Sequence, residues 1–140
     1  MIVLAALRDN TYNVVLLLHI LAVAVGFAPV LVGLTVRRGW PEDPALARAV
    51  RTIYAPAVIV AGLLGIVLIL LSDDAWEFSQ AWISASFLVW IAMVGVYQAL
   101  IQRGTRAGGQ TGARQADLGV MILSVLLVVM LYLMLFKPGA

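Results

Sequence analysis

The chain has 140 residues, 64% of them apolar and only 11% charged, with a formal net charge of +2. Ordinary soluble domains are roughly 45–50% apolar and about 25% charged, so this composition excludes a water-soluble fold and points to hydrocarbon as the solvent. The small charge excludes a nucleic-acid partner, and the absence of cysteine excludes disulfides, thiolate metal sites, iron–sulfur clusters and covalently attached haem.

In chain order, Met1–Leu7 is apolar but short. It has no basic segment before it and is followed by Arg8 and Asp9, so it does not read as a cleavable signal peptide. About 20 apolar residues are needed to cross a bilayer, and four segments meet that requirement. The first is 13–36, closed by Arg37 and Arg38; the second is 52–71, closed by Asp73 and Asp74. The third is 82–101, closed by Arg103; the fourth is 118–136, closed by Lys137 and Pro138. Each must be helical, because lipid offers the backbone no hydrogen-bond partner. The expected fold is an all-α, up-and-down four-helix membrane bundle forming one domain.

Orientation follows from the arginines. The connection 37–51 holds four and the connection 102–117 holds three, whereas 72–81 holds Asp73, Asp74 and Glu77 without any Lys or Arg. The positive-inside rule places the first two connections in the cytoplasm, and 72–81 and both termini outside, in a cell membrane. Pro44–Val50 is Ala-rich and reads as a short helix. Gly104–Gly112 is rich in Gly, Gln and Thr and reads as a mobile loop. In the outer connection, Trp76 and Phe78 between acids read as an interfacial segment, and Trp82 as part of an aromatic belt.

Helices in lipid associate through small residues. Ala22 and Gly26 on the first span, and Ala57, Ala61 and Gly65 on the second, form two such stripes. They predict a tight contact between those helices or self-association of two copies. Pro29 and Pro56 predict kinks.

His19 is the only histidine and lies about two turns into the first span. A buried imidazole needs a partner. Depth along the other spans offers Ser86, Tyr132 and, slightly shallower, Ser84, with Asp73 and Asp74 at the mouth. Together they would form one polar layer around His19. Two readings stay open: His19 binds haem, a metal or a proton, or it is held by a hydroxyl and joins helices. A lone histidine falls short of the three or four ligands a metal normally takes. Tyr97, Gln98 and Tyr54 read as interfacial anchors. No Asp, Glu, Lys or Arg stands inside a span, which weighs against a proton-coupled antiporter or a charge-lined channel.

LLLHILAVAVGFAPVLVGL resembles the first helix of the HemJ and CopD group of small membrane proteins, with an early histidine and small residues after it. YAPAVIVAGLLGIVLIL resembles that group's second helix, and AWISASFLVWIAMVGVYQ its third, opening on Trp. The resemblance covers about three of four helices. In the HemJ-type protoporphyrinogen oxidases it implies a lysine four residues after the third-helix Trp; here that position is Ser86. The similarity is therefore to the members of unknown function that keep the histidine. The leading expectation is a non-enzymatic accessory or structural subunit, self-associating or part of a larger membrane complex. The rival expectation is a haem b redox protein with His19 as axial ligand, completed across a dimer, and a third is a small transporter.

Overall fold

The computed structural model describes residues 9–35, 44–73 and 75–139. Val36, Arg37, Arg38 and Asp74 lie outside them. The described residues are helical and turn structure with no strand, and four helices are long and apolar enough to cross a membrane. Helix α1 is Asn10–Thr35, α2 is Pro44–Leu70, α3 is Ala81–Ala107 and α4 is Gly109–Phe136. The α1–α2 and α3–α4 pairs pack most closely. Contacts of α2 with α3 and of α4 with α1 close the ring. We call the end where α2 begins and α3 meets α4 the basic end, and the opposite one the acidic end.

The helices outrun the expected spans at the basic end. Helix α2 begins at Pro44 rather than Thr52, so the short Ala-rich helix is continuous with it. It passes through one π segment, Val50–Tyr54, just before Pro56. The proline explains that irregularity. It has no N–H to give and its ring crowds the carbonyl four residues back, and a wider turn relieves both. Pro29, by contrast, is fully buried within a helix assigned unbroken from Asn10 to Thr35.

The expected mobile loop at Gly104–Gly112 is instead the end of one helix and the start of the next, joined at Gly108. That residue has φ 64° and ψ −175°, a conformation open essentially to glycine alone. The glycines there serve close approach. A Cβ on Gly104 would lie 2.6 Å from the Gly112 carbonyl oxygen and 2.8 Å from the Ala116 nitrogen. Further along, a Cβ on Gly119 would meet the Ile101 side chain at 2.7 Å. Glycine is a poor helix former in water, but where two backbones must touch it is the residue that lets them.

The densest core lies toward this end. Val50, Ile101, Ala116 and Leu123 have no exposed surface, and Met93, Tyr97, Val58 and Val30 have almost none. A second π segment, Tyr97–Gln102, turns Tyr97, Ile101 and Gln102 all inward.

Candidate functional site

The α1–α2 contact carries the only histidine. Gly26 lies against Val58, where a Cβ would meet the Val58 backbone nitrogen at 3.2 Å, and His19 lies over Gly65, where a Cβ would sit 3.5 Å from Cε1. These two pairs are seven residues apart on each helix and run in opposite senses, so the helices are antiparallel. Of the small residues expected at this contact, Gly26, Ala61 and Gly65 stand in it, with Ala61 buried. Ala22 and Ala57 are half-buried.

His19 Nδ1 is 2.8 Å from the Ala61 carbonyl oxygen. A carbonyl can only accept, so Nδ1 carries the proton and the lone pair of the neutral ring is on Nε2. This bond has a local cause in the sequence. The Ala61 carbonyl points along α2 toward Gly65, four residues on. Without a Cβ there, the imidazole can lie on the helix and reach the oxygen.

The same construction recurs one turn away. Trp90 Nε1 donates to the Val58 carbonyl at 2.9 Å, and its indole occupies the space that a Cβ of Gly62, again four residues on, would need. A third bond joins α3 to α1: the Tyr97 hydroxyl donates to the Gly26 carbonyl. Thus three polar side chains from two helices cross-link to backbone carbonyls near the α1–α2 seam.

Sequence reasoning placed Tyr97 at an interface; it is among the largest fully buried side chains and spans the bundle. Trp90 was not singled out at all. Gly62, beside the Ala61–Gly65 stripe, was the available signal. Gln98 is exposed, as an anchor would be, while Tyr54 is half-buried against the core.

The polar layer expected around His19 is not how these groups are bonded. Ser86 is buried, but its hydroxyl donates 2.7 Å to the carbonyl of Trp82 in its own helix. Ser84 donates to the Phe78 carbonyl at 3.1 Å. Tyr132 is 52% exposed and stacks on Phe136. A helical Ser can satisfy itself four residues back, so equal depth did not make it a partner of His19. Asp73 lies at the acidic end in a left-handed backbone conformation, φ 47°, lining a cavity of about 360 Å³ with Ile69, Leu70, Trp76, Glu77 and Phe78. His19 is not among the residues of that cavity.

Beside it, the Lys137 ammonium sits 3.9 Å above the Trp76 ring and 5.8 Å from that of Trp82, and the two indoles meet edge to face. This fastens the end of α4 to the acidic connection. Among the described residues, no three His, Asp or Glu side chains gather as a metal site. Compared with family models, curated proteins and solved structures, the chain matches none.

Proposed function

We propose that this chain is an integral membrane protein acting as a non-enzymatic accessory or structural subunit, similar to the uncharacterised members of the HemJ and CopD group. Its basic end faces the cytoplasm, and its termini and acidic connection face outward. Large apolar side chains support the bilayer. Large apolar residues are exposed along every helix, and Leu31, Leu70, Leu88 and Leu135, one from each, are each more than 65% exposed.

One observation carries the subunit reading. His19, Trp90 and Tyr97 all give their donors to carbonyls of neighbouring helices. In hydrocarbon such bonds hold helices together, typically contributing about 0.6 and up to roughly 2 kcal/mol each. The side chains best suited to chemistry are thus engaged in building the bundle.

A second reading has one specific observation in its favour. A ligating histidine is usually oriented by a hydrogen bond from its other nitrogen. The Ala61 carbonyl does this to Nδ1 and leaves the Nε2 lone pair available for haem iron. The fit is partial. His19 is only half-buried and its ring lies against Gly65, so a haem would lie on the outer face of the α1–α2 pair or between two copies. Haem would supply electron transfer; His19 would supply one axial bond.

A visible spectrum of the detergent-purified protein separates the two. The subunit reading expects no Soret band, and His19→Ala lowers stability by about 1 kcal/mol through the lost interhelical bond. A near-stoichiometric Soret band that vanishes in His19→Ala overturns it in favour of haem.

A further inference from the structure

The basic end carries an excess of positive charge. Segments 36–54 and 102–117 contain seven arginines against Glu42, Asp43 and Asp117. On α2, Arg48 and Arg51 are exposed and one helical turn apart; on α3, Arg103 and Arg106 repeat that spacing. The two π segments that carry or adjoin these pairs touch, which brings both pairs to neighbouring helix ends. Among the described residues no carboxylate is ion-paired to any of the four.

A second observation comes from Gln102, which directly precedes Arg103. Gln102 is 9% exposed, and its backbone carbonyl accepts from Thr105, but its side-chain amide makes no hydrogen bond. No fully enclosed side-chain polar atom lacks a partner, so the amide must reach the surface at its tip. A nearly buried amide with no partner costs stability unless something outside the protein completes it.

We propose that Arg48, Arg51, Arg103, Arg106 and Gln102 form a site for the phosphodiester of an anionic lipid headgroup. Guanidinium groups pair with phosphate oxygens through two parallel N–H bonds, and the amide adds a neutral donor. The depth suits a lipid. Arg51 and Arg103 stand immediately outside the apolar stretches of their helices, where headgroups lie. This site is independent of whether His19 binds haem.

The test uses the full chain in a neutral detergent, with thermal unfolding followed as phosphatidylglycerol, phosphatidylcholine or inorganic phosphate is added. Phosphatidylglycerol raises Tm saturably. Its half-effect concentration climbs severalfold between about 0.05 and 0.5 M salt, since exposed charges are screened over that range. Phosphatidylcholine and inorganic phosphate at equal concentration leave Tm unchanged. Replacing both Arg51 and Arg103 by Gln weakens the effect about thirtyfold, from the usual contribution of each basic residue near an anionic surface. Arg114→Gln on α4 weakens it much less.

Should the double variant fail to fold, Gln102→Leu keeps the question open to test. It is expected to hold or raise the lipid-free Tm while weakening the lipid effect. The proposal is overturned by equal shifts with both lipids, by no salt dependence, or by an undiminished effect in a folded double variant or in Gln102→Leu. Inorganic phosphate matching the lipid would reassign the site to a free anion.

Discussion

The two ends of the bundle are held by different means. At the basic end the backbones of α3 and α4 touch at Gly104 and Gly112, one residue joins the helices, and the core there has no exposed surface at Val50, Ile101, Ala116 or Leu123. At the acidic end short backbone turns are fastened by side chains. The Ser72 hydroxyl donates to the Ile69 carbonyl at 2.7 Å and accepts from the Trp76 N–H at 3.1 Å, and Lys137 covers Trp76. Backbone contact is intolerant, because added atoms have nowhere to go. Ring and ammonium contacts at a surface can rearrange, and beside them lies the open cavity of Asp73, Trp76 and Glu77. The teaching is that the basic end sets the bundle's geometry, and the acidic end is where shape can vary.

The sharpest way to break that comparison is Gly112→Ala. The new methyl would run into the Gly104 carbonyl. Alanine gains about 1 kcal/mol of helix propensity, but overpacking costs up to about 3 kcal/mol, so a net loss of about 2 kcal/mol is expected in reversible unfolding from mixed micelles. Tyr97→Phe comes next. It removes the bond to the Gly26 carbonyl and should cost about 1 kcal/mol; the carbonyl remains within its own helix, so the loss stops there. Lys137→Gln is the smallest. An exposed cation–π contact is worth about 0.5–1 kcal/mol, and the readout is a shift in Trp fluorescence with little change in Tm. If Lys137→Gln destabilises more than Gly112→Ala, the contrast drawn between the ends is inverted.

The four apolar helices and the seam at Gly26, Ala61 and Gly65 were legible, because span length and small-residue spacing depend on local sequence. The short helix at Pro44–Val50 was legible too, but the helical character of Gly104–Gly112 was not. GTRAGGQTG has the composition of a loop in water, and only the facing backbone of the partner helix makes its glycines useful. Tyr97 was misplaced for a related reason. Its distance from Arg103 suggested a headgroup anchor, but the π segment sets which way it faces. The polar layer failed as a hydrogen-bonded unit because depth is one coordinate of three: His19 found a glycine-bared carbonyl on α2, and Ser86 found one in its own helix.

Gly108 also bears on the order of assembly. With a single residue between them, α3 and α4 close almost no loop, and short loops cost the least chain entropy. The Tyr97–Gly26 bond instead links positions 71 residues apart. The expected sequence is an early α3–α4 hairpin that then receives α1 and α2. Lengthening the joint at Gly108 with a flexible insert should slow refolding more than an equal insert after Glu77 does.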